Sequence, residues 1–246
     1  MSKSKKEFLG LTKALQKICG RHQFNNVFDD FMTMSICAFS YGQMEDLYIK
    51  TASRYDVEEM KLFSYALAEM VNEYDTYMGE DGSWKDILGN VFEETNSSFT
   101  ASNNGQFFTP DSVCNLMSEF VGDKEPCKEN ILVNDCSSGS SRNLIAHCRL
   151  HPGNRFNAFY VAQDLDERCV KMSVLNFVMF GMKGVVIHMN TISMEIFKGY
   201  RVYLADTMMG IRPLSVYECQ QFLFEQKETP TPKKIDAGNF KQATLF

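Results

Sequence analysis

The chain has 246 residues, 44% hydrophobic and 23% charged, with 25 basic against 31 acidic side chains and a net charge of −6. That length supports one large domain or two small ones with an ample core. The acidic balance argues against a broad basic face that grips nucleic acid unaided, and leaves room for a local basic patch or a basic partner. No apolar run approaches the roughly 20 residues of a membrane span, and the basic start MSKSKKEFLG lacks the apolar core of an export signal.

Residues 1–80 read as helical. Leu9, Leu11, Leu15 and Ile18 recur at helical spacing, and further helices are expected over 25–39 and 43–54. A fourth begins after Asp56, where Asp56 and Glu59 have the spacing of a capping box. GEDG at 79–82 breaks the pattern; 84–94 resumes it with Ile87, Leu88, Val91 and Phe92 on one side. The polar stretch TNSSFTASNNGQ reads as a loop.

Beyond the loop the pattern changes to alternating strands and helices. Thr109-Pro110-Asp111-Ser112 opens a helix, with Pro110 suited to its first turn. Strands are expected over 131–135, 158–164, 185–189 and 201–205, with helices over 142–150 and 167–180 between the first three. Strands joined by crossover helices make a parallel sheet. A last helix is expected over 214–224, and the tail from 226 reads as a flexible linker ending in a short peptide. The expected division is a helical region over 1–100, an α/β core over 101–225 and a tail over 226–246.

The eight cysteines form no CxxC pair and the four histidines show no metal-ligand spacing. Scattered thiols in a reducing cytoplasm are the expectation, with neither disulfides nor a metal site.

The chemistry concentrates at 131–146, ILVNDCSSGSSRNLIA. An apolar strand ends in Asp135, a Ser/Gly loop follows, and a helix begins near Arg142. Strand, small-residue turn and helix open a nucleotide-binding βαβ unit, although any tight strand-to-helix turn also needs small residues. Asp164 ends the next strand about thirty residues on, where a carboxylate suits a ribose diol. Asn190 ends the third strand and Asp206 the fourth, so four strand ends are expected on one carboxyl edge. A nucleoside ligand follows from this arrangement; spacing does not say which.

NGQFFTPDS at 104–112 resembles the GQFFTP signature of the modification subunits of type I restriction systems and their phage relatives, which are N6-adenine DNA methyltransferases. Further pieces fall in that family's order. DCSSGSSRNLIA is similar to its DPxCGSGxxLxA loop, YVAQDLDERCVKMSVLNFVMFG to its second-strand segment, and HMNTIS to the turn after its third strand. DILGNVFEE resembles the helix before the signature, so the resemblance spans about 84–210.

The resemblance implies a Rossmann-like α/β methyltransferase core, with S-adenosylmethionine as cofactor and the exocyclic amine of adenine in DNA as target. It implies that Phe107, Phe108 and Thr109 lie over the methionine end of the cofactor. Asp135, Gly139 and Ser141 then line the loop, Asp164 holds the ribose, and Asn190 faces the adenine. Each has an ordinary alternative: core packing for the two phenylalanines, a helix N-cap for Thr109. Asp166 reads better as the cap of the next helix.

Three departures bear on activity. Ser138 and Ser141 stand where the family has Cys and Gly, and Cys136 replaces Pro. The catalytic Asn-Pro-Pro-aromatic turn is replaced by Asp206-Thr207-Met208-Met209; Asp206 keeps an acceptor, but the base-stacking ring is gone. The seven-stranded sheet of the class is truncated, which leaves strand 201–205 as an edge. The expectation is a DNA adenine-N6 methyltransferase-like protein that binds S-adenosylmethionine with impaired or lost catalysis. The alternative is a non-catalytic scaffold that binds a protein partner or DNA. DNA through a specificity protein, and a second copy of the chain, are the partners expected. Gln242, Leu245 and Phe246 also resemble the short peptides that dock on bacterial sliding clamps.

Overall fold

The computed structural model describes residues 10–79, 82–96, 108–121, 130–154, 157–224 and 240–244. The chain divides into two compact units, Met1–Ser35 with Glu45–Phe107, and Ile36–Met44 with Phe108–Phe246. The two units meet in sequence at Phe107 and Phe108, and residues 36–44 group with the second.

The first unit is helical: α1 (Gly10–Ile18), α2 (Phe24–Ala38, whose last turn enters the second unit), α3 (Glu45–Ala52), α4 (Val57–Gly79) and α5 (Ile87–Asn96). The sequence dictates these elements locally. Asp56 accepts from the Glu59 amide at 2.9 Å and Glu59 accepts from the Asp56 amide at 2.8 Å, which closes the capping box at the head of α4. Phe63, Ala66, Met70 and Tyr74 recur at helical spacing and are buried, as are Leu11, Leu15 and Ile18 on α1, the helix α4 packs against. Ile87, Leu88, Val91 and Phe92 share the buried side of α5.

The second unit is a mixed α/β layer structure. Its elements are α6 (Asp111–Val121), β1 (Asn130–Asp135), α7 (Arg142–Leu150), β2 (Ala158–Asp164), α8 (Glu167–Met179), β3 (Gly184–Asn190), β4 (Glu195–Ala205), β5 (Met208–Leu214), α9 (Val216–Phe224) and β6 (Phe240–Thr244). Among the described residues six strands form one sheet, ordered β5-β4-β3-β2-β1-β6. β6, β1, β2 and β3 pair in parallel, whereas β4 is antiparallel to both β3 and β5. Both sheet faces are apolar: Val161, Val185, Ile187 and Met189 cluster with Leu214 and Cys219, while Tyr160, Ala162 and Val186, buried as well, alternate with them along the strands. Gly184 lies so close to β2 that a Cβ there would stand 1.9 Å from the Tyr160 carbonyl oxygen.

Two expectations are overturned here. First, β4 begins at Glu195, not Arg201, directly after a turn at 191–194. That turn is too short for a crossover, which takes a dozen or more residues, so β4 must return antiparallel. It is no edge, because β5 pairs along it. β5 is in turn blunted by Pro213, and Phe39 O accepts from the Ile211 amide at 2.9 Å. Second, 240–244 of the expected flexible tail is a strand. Gln242 pairs opposite Leu132 of β1, so docking on a clamp through Gln242 would require β6 to leave the sheet; Leu245 and Phe246 lie outside the described residues. No helix among the described residues is long and apolar enough to cross a membrane.

Candidate functional site

Asp135 and Asp164 end the parallel neighbours β1 and β2 at the same, carboxyl edge of the sheet. On the far side of β1 lies β6, so strand order reverses between β1 and β6. Open α/β sheets bind ligands in the crevice outside such a switch point.

The loop 136–141 joins β1 to α7 at this edge and is tied to the end of β2. The Ser138 amide donates to Gln163 O at 2.9 Å, and the Gly139 amide donates to Asp164 Oδ2 at 2.8 Å. Asp164 Oδ1 accepts from the Asp166 amide at 2.8 Å. Asp135, fully buried, accepts from the Ser137 amide at Oδ1 and from Asn143 Nδ2 at Oδ2, each at 3.1 Å. Burial raises both carboxyl groups above the usual range; Asp164 adds to the effect on Asp135, and Asp166 to that on Asp164.

Gly139 has φ +54, and a Cβ there would meet Cδ1 of Phe108 at 3.0 Å, so glycine is favoured on both counts. The guanidinium of Arg142 lies 5.1 Å from the centre of the same ring, a cation–π contact. Ser141 is fully buried at φ 73, a left-handed conformation that costs an L-residue about 1 kcal/mol. It occupies the N-cap of α7, yet its side chain does not cap the helix. Its hydroxyl donates instead to Ser173 Oγ at 2.7 Å, Ser173 Oγ donates to Gly139 O at 2.8 Å, and Asn176 Nδ2 donates to Ser140 O at 2.7 Å.

Ser138 Oγ and Asn143 Oδ1 are buried and have no hydrogen-bond partner among the described residues. Orphaned polar atoms beside an acid and a glycine are what a polar ligand would satisfy. Asp164 accepts backbone amides on both oxygens and is only half-buried, so its carboxylate can also accept from a diol. The set suits a ligand that carries a diol, which Asp164 can accept, and a polar end, which Asp135, Asn143 Oδ1 and Ser138 Oγ can meet.

The other expected site residues divide. Phe107 lies outside the described residues. Phe108 covers Gly139 from the head of α6. Thr109, half-buried beside it, accepts the Cys114 thiol on its carbonyl at 3.5 Å. Asn190 ends β3 on the carboxyl edge, but its Oδ1 closes a turn by accepting from the amides of Ile192 and Ser193 at 3.0 and 3.1 Å. Asp166 caps α8, accepting from the Arg168 amide at 2.8 Å.

Asp206 corrects the expectation of four strand ends on one edge. Because β4 runs antiparallel to β3, Glu195 pairs with Asn190 at the carboxyl edge and Ala205 ends β4 at the opposite one. Asp206 and Thr207 form the hairpin turn to β5, and Met208 and Met209 begin β5. At about 3.3 Å per residue, the 11 residues of β4 put Asp206 roughly 30 Å from the loop's edge of the sheet. Sequence reasoning also missed Asn143, Ser173 and Asn176. The last two carried a signal, polar residues at i and i+3 in the otherwise apolar stretch MSVLNFVMF.

A model of the N-6 DNA methylase family matches residues 83–214, which is 132 of the 246 residues. The comparison with curated proteins gave no match. Among solved structures, the chain is similar to the methyltransferase subunit of a type I restriction-modification system from Streptococcus thermophilus, at 20% identity and a TM-score of 0.36. That likeness covers 71% of this chain, which spans only 37% of that subunit's length. The family match runs from α5 to the end of β5 and includes the loop with both acids: the chain belongs to the N-6 DNA methylase family.

Proposed function

We propose that the chain is an S-adenosylmethionine-binding core of the adenine-N6 methyltransferase type that does not by itself complete methyl transfer. One observation carries this reading. The loop, Asp135 and Asp164 lie together at the carboxyl edge, whereas Asp206, the acceptor expected for the target amine, lies at the opposite edge.

The cofactor supplies an electrophilic methyl group. Asp164 holds the ribose through its carboxylate, Gly139 lets the backbone approach, and Asp135 with Asn143 receives the polar end. What the described residues at this edge do not provide is the paired acceptor and ring that family members set against an extruded adenine. DNA reaches the site through a partner that supplies sequence recognition, since the chain's own charge is acidic.

The direct test is methyl transfer from labelled cofactor to adenine in duplex DNA, with the full chain alone. No incorporation is expected, together with cofactor binding in a calorimetric titration. Labelled N6-methyladenine above background would overturn the claim of lost catalysis.

A second reading, a scaffold that docks a partner on this edge, is favoured by the apolar side chains exposed there. Ile192 is 95% and Leu165 60% exposed, and the Phe197 ring stands 4.7 Å from His188 on the same border. Failure of both cofactor binding and methyl transfer would leave this reading in place of the first.

A further inference from the structure

We infer that Ser173 and Asn176 of α8 are positioning residues of the cofactor loop, and that Ser141 is a matched member of this brace rather than an eroded glycine. The inference rests on the cofactor reading above for its functional consequence, but the brace itself stands on the hydrogen bonds.

Three successive loop residues are gripped from α8. Ser173 Oγ donates to Gly139 O at 2.8 Å, Asn176 Nδ2 donates to Ser140 O at 2.7 Å, and Ser141 Oγ donates to Ser173 Oγ at 2.7 Å. Ser140, Ser141, Ser173 and Asn176 are all buried to within 1% exposure. A buried hydroxyl or carbonyl left without a partner is costly, so each bond is strongly favoured once the loop packs on α8. The Gly139 peptide groups are thus held on two sides, the amide by Asp164 and the carbonyl by Ser173. That fixes the loop against the carboxylate that takes the ribose.

The serine at 141 then has a physical account. A left-handed backbone favours glycine, and a serine there ordinarily turns its hydroxyl to cap the helix. This one does neither. Its hydroxyl reaches Ser173 and orients the Ser173 proton toward Gly139 O, because an oxygen accepting from Ser141 directs its own donor elsewhere. The gain from this bond offsets the cost of the left-handed conformation. Glycine at 141 would remove both the cost and the bond, and alanine would keep the cost and lose the bond.

Affinity for S-adenosylmethionine is measured by calorimetry on the full chain, and hydrogen-exchange protection of the amides at 139–141 is measured without ligand. Ser173→Ala is expected to weaken binding about tenfold, equivalent to about 1.4 kcal/mol, and to lower protection at 139–141 selectively. Ser141→Ala is expected to do the same, and Ser141→Gly, which loses the bond as it loses the strain, is expected to bind no more tightly than the native chain. Asn176→Ala, which removes the bond to Ser140 O, is the second route should Ser173→Ala fail to fold. Tenfold tighter binding by Ser141→Gly overturns the matched role of Ser141. Unchanged Kd and protection in the α8 variants overturn the brace. If the native chain does not bind the cofactor, the cofactor reading falls, and protection alone decides the brace: selective loss supports it, no change refutes it.

Discussion

Asp164 ties the loop to β2 and is the residue proposed to hold the ribose. Its two oxygens take the amides of Gly139 and Asp166, and this pins the loop to β2 before any ligand arrives. Hydrogen bonds to a charged acceptor are worth about 1.5–3 kcal/mol, so Asp164→Ala is expected to weaken S-adenosylmethionine binding roughly ten- to a hundredfold by calorimetry. Asp206→Ala, at the opposite edge, should leave that affinity within twofold. Equal losses in the two variants would contradict the placement of β4. His147 carries a separate prediction. Buried beside Tyr160 and His151, it is pushed down to about 4, by burial first and then by the His151 charge. Between its ordinary 6.5 and about 4, the unfolded chain binds a proton that the folded chain refuses. The stability it contributes is therefore present above pH 6.5 and lost as pH falls toward 4, up to roughly 3 kcal/mol. Asp135 and Asp164, raised by burial, act in the opposite sense as they take up protons on acidification. Denaturant unfolding between pH 7 and 4.5 should thus show a shallower loss in His147→Asn than in the native chain.

At the scale of elements, legibility depended on pattern strength. The apolar runs of β1, β2 and β3, each closed by a polar residue, were readable because buried parallel strands are continuously hydrophobic. The Asp56–Glu59 capping box and the apolar side of α5 were readable by spacing. The direction of β4 was not. Its first six residues, EIFKGY, mix charge with apolar groups, and leaving them out of the strand opened a gap long enough to pass for a crossover. A two-residue alternation is also the same in either strand direction. β6 was illegible because FKQAT holds no apolar run; the partner it pairs with, β1, supplies the reason it is a strand. Two measurements follow. Gly184→Ala puts a methyl against the Tyr160 carbonyl at 1.9 Å and should cost about 3 kcal/mol or more in chemical denaturation. Removing residues 240–246 strips β1 of one of its two partners and should cost about 2–4 kcal/mol, several net backbone hydrogen bonds. An unchanged midpoint would mean that β6 contributes nothing to the sheet.

For the whole molecule, family membership and the proposed loss of catalysis rest on different observations. The match over 83–214 and the Asp135–Asp164 loop belong to an N-6 DNA methylase core. The strand beside β1 at the switch point is β6, outside that match, and Asp206 is on the wrong edge for the loop. The candidate cofactor site was legible because its residues are local: an acid, a glycine and a second acid at strand ends. The fate of the catalytic turn was not, because it depends on long-range strand direction. Retention of the proposed cofactor site is tested most directly by thermal unfolding of the full chain with S-adenosylmethionine. A ligand that binds only the folded state at a hundredfold its Kd stabilises by about 2.7 kcal/mol, so the midpoint of the sheet unit should rise by roughly 5 °C or more. An unchanged midpoint at millimolar S-adenosylmethionine would contradict the account.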